Sequence, residues 1–276
     1  MNATAVLANE SLIRLTCFLT VLAACLLWQR LRPLRGDGRP GRRQLRNIGM
    51  VLLGTLLVRL AFPLLAVEWA LRMEVAQFGL LAMTDWPFAL ELLLAVLLLD
   101  LAIYWQHRVF HLVPWLWRMH RMHHSDTGFD VTTGVRFHPL ELLLSMAIKF
   151  GVIALLGAPA LAVLAFETLL SSGALLTHSD AAFPTRLDRW LRLIVVTPSM
   201  HRTHHSTLPV ETNSNYGFHL SLWDRCFGSY RAQLIESEQR MAIGLESWRS
   251  ASAQRFPALL VQPFQNPPPA EDPPHA

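Results

Sequence analysis

Two nearly identical hexapeptides, HRMHHS at 120–125 and HRTHHS at 201–206, lie about 80 residues apart in a chain that has 12 histidines. In each hexapeptide the histidines fall at i, i+3 and i+4, which places three imidazoles within about 100° of arc on a helix. HRVFH at 107–111 adds two more histidines four residues apart, on one helical face. Neutral imidazole is the commonest side-chain ligand for metals. The three groups therefore predict a metal site.

The number and type of these ligands indicate more than one metal ion. Eight histidines belong to the three groups, and His138 and His178 stand alone at the two ends of a long apolar block. One ion takes roughly four to six ligands, so eight to ten histidines favour two ions. A nitrogen-rich set with few carboxylates suits iron, zinc, copper or nickel better than calcium or magnesium.

The composition is that of a membrane protein. Hydrophobic residues make up 52% of the chain and charged residues only 16%, whereas soluble domains carry roughly 25% charged residues. The formal net charge of +4 is modest, and no basic surface is interleaved with aromatic residues, so nucleic acid is not expected as a partner. The three cysteines form no CxxC pair, which argues against a disulfide framework or a thiolate zinc site.

The apolar segments predict an all-α integral membrane protein with four to five membrane helices, including a helical hairpin. A bilayer-spanning helix needs about 20 apolar residues. The hairpin is predicted because glycine and proline at 157–159 interrupt the long apolar block. Lys149 and Glu167 lie at similar depths on its two arms and are expected to form a buried pair, whereas Arg59 has no evident partner. The predicted spans are 12–28, 48–70, 88–104, 140–156 and 160–176.

The arginine distribution predicts the orientation. Seven arginines lie between the first two spans, and only Arg72 lies between the second and third. Because short cytoplasmic loops are enriched in Arg and Lys, the first loop is expected to be cytoplasmic. All histidine groups then fall on the cytoplasmic side. The excess of arginine over lysine favours a bacterial inner membrane.

The order HxxxH, HxxHH, HxxHH resembles the three histidine boxes of the fatty acid hydroxylase / sterol desaturase superfamily. The flanking segments DLAIYWQHRVFH, TTGVRFHPLE and NYGFHLSLWDRCFGSY resemble that family as well, and the likeness covers about residues 95–230. The chain is expected to divide into N-terminal membrane helices and an arginine-rich loop (1–90), a hydroxylase-like domain (91–232) and a C-terminal tail (233–276). The proline-rich part of the tail, from residue 257, is expected to be disordered.

The resemblance implies a centre of two iron ions, with zinc as the metal that an isolated sample could hold instead. Such a centre uses O2 and two electrons to hydroxylate or desaturate a lipid, such as a fatty acyl chain or a sterol or isoprenoid. Electrons are expected from a separate ferredoxin or cytochrome, because no fused electron-transfer domain is seen in the sequence. The ligands implied are His107, His111, His120, His123, His124, His178, His201, His204 and His205, with His138 added although not every branch of the family has a histidine there.

Three other polar residues and three other functions stay open at this stage. Asp100, Tyr104 and Asp224 either orient ligand imidazoles from behind or are ordinary polar residues near helix ends. The histidine boxes do not separate hydroxylation from desaturation. A membrane protein that transports or stores metal is a further alternative, as is a non-catalytic family member whose metal site only supports the fold.

Overall fold

The computed structural model of the protein describes residues 3–39 and 41–270. These residues contain no β-strand and form thirteen α-helices and three 3-10 helices, which confirms the predicted all-α class. The 3-10 helices span Leu81–Met83, Thr133–Val135 and Gln262–Phe264. The α-helices are α1 (Ala3–Ala8), α2 (Glu10–Leu31), α3 (Arg42–Ala61), α4 (Ala66–Val75), α5 (Phe88–Leu112), α6 (Pro114–His124), α7 (Pro139–Leu156), α8 (Ala160–Thr177), α9 (Thr185–Leu191), α10 (Pro198–His204), α11 (Pro209–Thr212), α12 (Leu222–Cys226) and α13 (Phe256–Val261).

Five segments of the described chain are long and apolar enough to cross a membrane. They are α2, the joined stretch Arg42–Val75, α5, α7 and α8. Their number agrees with the sequence prediction, and a chain with five such segments is an integral membrane protein. The main apolar core lies where α4, α5, α7 and α8 pack together.

The second span differs from the single helix predicted over 48–70. Helix α3 ends at Ala61, and α4 begins at Ala66. Between them Phe62 is extended, with φ −116° and ψ 106°. Pro63 explains the break, because it has no N–H for the helix and it disfavours helical geometry in the residue before it. The third span also differs, since α5 continues to Leu112 and so includes the first histidine group.

The hairpin of α7 and α8 has the predicted bounds within one residue and turns at Gly157, whose φ of +62° is left-handed. The buried pair between its arms is confirmed. Lys149 Nζ donates to Glu167 Oε1 at 2.6 Å, and Arg14 of α2 reaches the other oxygen of Glu167 at 3.0 Å. The pair therefore also joins the first membrane helix to the hairpin.

The C-terminal segment differs from the disorder expected from residue 257. Helix α13 and the 3-10 helix after it cover residues 256–264, and Leu259 is fully buried against Met50 and Met122. The cause is the apolar run FPALLV, which precedes most of the prolines and supplies a face that can pack. Residues 271–276, with His275, lie outside the described residues.

Candidate metal centre

Two prolines shape the helices that carry the histidine groups. Helix α5 ends at Leu112, Val113 is extended, and Pro114 begins α6 at a position where proline is tolerated. The short break changes the direction of the chain and brings α6 against α5. Helix α10 begins in the same way at Pro198, and the Thr197 hydroxyl accepts a hydrogen bond from the Met200 backbone as its N-cap.

Nine of the ten predicted ligands converge into two groups, and in each group the candidate nitrogen atoms lie within 4.8 Å of one another. Each hexapeptide contributes to both groups, so neither repeat corresponds to one metal. His124 and His205 are the third histidines of their hexapeptides and belong to different groups. Their rings stack with centroids 4.5 Å apart. The five-histidine group is His107, His111, His120, His124 and His204, and the four-histidine group is His123, His178, His201 and His205.

The hydrogen bonds of four histidines leave a lone pair on the nitrogen that faces the other rings. The Nδ1 atoms of His107, His123, His178 and His204 lie 2.7–3.2 Å from backbone carbonyl oxygens. A carbonyl only accepts, so Nδ1 carries the proton and Nε2 of the neutral ring is bare. Yet Nε2 of His107 lies 3.0 Å from that of His204, and Nε2 of His178 lies 3.3 Å from that of His123. Lone pairs at such distances repel unless a cation lies between them, so the residues fit bound metal.

His120 and His111 are held by side chains instead. His120 Nδ1 lies 2.7 Å from Glu141 Oε1, and His120 Nε2 is buried without a hydrogen-bond partner among the described residues. His111 Nδ1 lies 3.3 Å from Asn213 Oδ1. Such partners fix the orientation of ligand imidazoles. Sequence reasoning missed both partners; Glu141 lies in the noted RFHPLE segment, but no spacing rule pairs it with His120.

Burial favours the neutral imidazole, which is the form that binds metal. It lowers the pKa of His178 to about 4 and the pKa of His204 to about 3. Burial also lowers the pKa of four further histidines that lie outside the membrane helices, and repulsion between neighbouring imidazoles lowers it further. The pKa is lowered well below the ordinary histidine value in His123, His124, His201 and His205.

His138 lies outside both groups and differs from its prediction as a ligand. Its Nδ1 accepts from the Leu140 backbone and caps the start of α7. The proton is then on Nε2, which donates to the Leu260 carbonyl at 3.1 Å. Both nitrogens are therefore used in hydrogen bonds that hold α7 and the C-terminal segment.

Asp100 and Tyr104 do not contact the clustered histidines through hydrogen bonds, which differs from the hypothesis that they orient ligands directly. Asp100 accepts from His219 Nδ1 at 2.7 Å and from Trp223 Nε1 at 2.8 Å. The Tyr104 hydroxyl lies 2.8 Å from Ser229 Oγ. Both residues therefore anchor the closing segment 216–230 to α5.

Asp224 acts on one of the clustered histidines through the backbone. It accepts hydrogen bonds from the backbone nitrogens of Tyr216 and Gly217 at 2.8 and 2.9 Å. The Tyr216 carbonyl in turn accepts from His107 Nδ1 at 2.7 Å. Asp224 thus fixes the peptide that orients His107 and does not touch the imidazole.

The repeated arginines of the hexapeptides bind other segments of the chain. Arg121 donates to the carbonyl of Gln262 in the C-terminal segment. Arg202 donates to the Ser179 carbonyl at 3.1 Å and forms an ion pair with Glu238. Each arginine therefore fastens a distant segment to a helix that carries histidines.

A cavity of about 370 Å³ opens beside one of the two groups. Among the clustered histidines only His107 and His120, both of the five-histidine group, line it. From there it extends along α7 and α8 to Lys149 and Glu167, between mostly apolar side chains. A pocket of this size with few polar groups suits a small apolar molecule or an apolar chain.

Residues 92–229, half of the chain, match the model of the family described as Fatty acid hydroxylase. The chain belongs to the fatty acid hydroxylase family. The matched region contains all nine clustered histidines. No solved structure matches the chain.

Several curated relatives are named for the oxidation of lipids. Ornithine lipid hydroxylase OlsE of Rhizobium tropici is 33% identical over 180 residues, which are 65% of this chain and 52% of that protein. Alkylglycerol monooxygenase of Homo sapiens is 32% identical over 141 residues, 50% of this chain and 30% of that protein. Cholesterol 25-hydroxylase of Rattus norvegicus is 26% identical over 170 residues, 59% and 54% respectively. The chain thus spans about half the length, or less, of these relatives.

Proposed function

We propose that the protein is an O2-dependent membrane oxidoreductase that hydroxylates a lipid at a histidine-bound pair of iron ions. The observation that carries this proposal is the opening of the five-histidine group into an apolar cavity between membrane helices. A site that only stored metal or supported the fold has no need of such a cavity. The names of the relatives, which are lipid hydroxylases and monooxygenases, support the same class of reaction.

The donor set suits iron, with zinc as the ion that competes for the same ligands. It consists of nine imidazoles, with one carboxylate, Glu141, behind them. Two iron ions bound there would supply the O2 chemistry that oxidation of an unactivated C–H bond requires. The overall reaction consumes one O2, two electrons and two protons, inserts one oxygen atom into the C–H bond and releases one water.

The chain itself holds the ligands, positions the substrate and keeps water out. His107 and His120 form the wall of the cavity nearest the metal groups, and Glu141 fixes the His120 ring. Phe110 and Phe218 line the cavity beside them. These apolar walls direct a hydrocarbon segment toward the histidines and exclude water from the reacting carbon.

Electron delivery by a separate ferredoxin or cytochrome is part of the proposal, with the histidines on the cytoplasmic side. Of the seven arginines between the first two spans, Arg35 and Arg43 form ion pairs within the protein. Others are exposed and offer a positive surface to an acidic carrier, which would speed association. The exposed arginines are Arg30, Arg32, Arg39 and Arg42.

Lipid analysis tests the activity. Membranes from a bacterial host with and without the protein should be compared by mass spectrometry after growth with O2. Hydroxylation predicts a lipid that gains one oxygen atom, whereas desaturation predicts one that loses two hydrogen atoms. The His120→Ala variant should abolish the product. His138→Ala is the matched control, because His138 lies outside both groups. Lipids unchanged by the wild-type protein, supplied with iron and a reductant, would contradict the proposal.

A further inference from the structure

The end of the cavity far from the histidines is charged. Arg14, Arg59, Lys149 and Glu167 all line it, although the rest of the wall is mainly apolar. All four residues lie within segments long enough to span the membrane. Ionisable groups in such segments are costly, and where they line a cavity they commonly mark the path or the site of a ligand.

The charges at this end do not balance. Glu167, whose side chain is 5% exposed, contacts both Lys149 and Arg14, and Arg14 also reaches Glu10 at 3.5 Å. These contacts pair the two cations with two carboxylates. Arg59, which is an exposed residue, makes no hydrogen bond or ion pair with any residue that the structure describes, although it lies near enough to Glu167 to interact electrostatically. One positive charge, on Arg59, is therefore left over at the end of the cavity.

The separation between the two ends of the cavity can be estimated along α7. Glu141, which holds His120, and Lys149 are eight residues apart on α7. At a rise of about 1.5 Å per residue they are separated by roughly 12 Å along the helix. The cavity thus has a reactive end at the histidines and a cationic end about 12 Å away.

We propose that the cationic end binds an anionic group of the substrate and that Arg59 is the residue that contacts it. This inference rests on the proposed function, because it assigns the substrate of the same cavity. The substrate is then an amphiphile with a carboxylate or phosphate at one end of an apolar chain. An extended chain advances about 1.2 Å per bond, so roughly ten bonds separate an anionic group at the depth of Lys149 from a carbon at the depth of Glu141. The pairing of Glu167 with Lys149 and Arg14 pre-forms the walls of this subsite.

Binding of chain-matched probes tests the inference without turnover. Hexadecanoate, hexadecyl phosphate and hexadecanol should be titrated against the full-length protein in detergent, in the absence of O2. One or both anions should bind at least tenfold more tightly than the alcohol; the probe that does so distinguishes a carboxylate substrate from a phosphate one. In the Arg59→Gln variant the anion should bind no better than the alcohol. Arg59→Lys should keep part of the preference, because the charge is retained.

Arg46→Gln is the matched control, since Arg46 lies on the same helix α3 and does not line the cavity. It should keep the full preference for the anion. Equal binding of all three probes by the wild-type protein would overturn the inference, even if the Arg59 variants fail to fold. An unchanged preference in Arg59→Gln would overturn the role of Arg59. Absence of lipid oxidation would instead contradict the proposed function, because binding is measured without O2.

Discussion

Glu141 Oε1 lies 2.7 Å from His120 Nδ1, so the first turn of α7 holds a histidine that belongs to the five-histidine group and also lines the cavity. The other oxygen of Glu141 is buried without a partner among the described residues. The contact therefore serves the imidazole and not a wider network. Helix α7 positions the cavity wall and a candidate metal ligand together.

Replacing Glu141 should weaken metal binding. We expect Glu141→Ala to lower the affinity for iron or zinc by about 10–100-fold, because His120 loses the group that orients its ring. Glu141→Gln should lose less, since its amide oxygen still accepts from Nδ1. Competition with a chelator of known affinity measures the change. Ser145→Ala, one turn further along the cavity wall, is the control. Wild-type affinity in Glu141→Ala would refute the role of this carboxylate.

The two histidine groups should respond differently to the loss of one ligand. His178→Ala leaves three histidines in the four-histidine group, whereas His111→Ala leaves four in the five-histidine group. We expect the purified protein to hold about two equivalents of metal, His178→Ala about one, and His111→Ala about two, because four ligands still complete a common coordination sphere. Elemental analysis after dialysis measures this. Equal metal content in all three proteins would contradict the assignment.

The metal-free protein should lose stability in acid. The pKa of His178 is lowered to about 4, whereas an unfolded histidine titrates near 6.5. The stabilisation is fully present above the unfolded value and is lost as the pH falls toward the folded one. Each such histidine weakens folding by up to about 1.4 kcal/mol per pH unit in that window. Unfolding of chelator-treated protein at several pH values measures the slope, which should be shallower in His178→Gln. A flat profile from pH 7 to 4.5 would contradict this account.

Close contact at the hairpin turn should make one glycine irreplaceable. A Cβ on Gly79, whose φ is +112°, would lie 2.1 Å from the Gly157 backbone nitrogen. Gly79→Ala should therefore destabilise the protein by roughly 3 kcal/mol or more. Gly151→Ala is the matched control, because a Cβ there meets nothing within 4 Å. It should be neutral or stabilising by about 1 kcal/mol, as expected for alanine in a helix. Thermal unfolding in detergent compares the two variants, and similar melting temperatures would contradict the prediction.

The fold was predictable where one local signal decides it. The hairpin follows from apolar length and from Gly157, and the pairing of Lys149 with Glu167 follows from equal depth on its arms. The break in the second span also has a local signal, Pro63. The prediction missed it because the span was recognised by its overall apolar composition. The ordered C-terminal segment could not be predicted in the same way, because Leu259 is buried by helices α3 and α6, which lie far away in sequence.

The candidate site was predictable in its members but not in its arrangement. Helical spacing placed His120, His123 and His124 on one face, yet it does not say that His123 belongs to a different group from the other two. That division depends on how α10 lies against α6. The partners Glu141 and Asn213 were missed for the same reason, since each meets its histidine through tertiary contact. The expected ligand His138 instead has both nitrogens in hydrogen bonds.

The division of the hexapeptides between the two groups has a consequence for biogenesis. Four members of the five-histidine group, from His107 to His124, precede the hairpin, and His204 alone follows it. In the four-histidine group most members follow the hairpin, and only His123 precedes it. A nascent chain can therefore begin to assemble the first group before the hairpin is synthesised, whereas the second must wait for nearly the whole chain. The ligands of the first group therefore become available earlier in synthesis than those of the second.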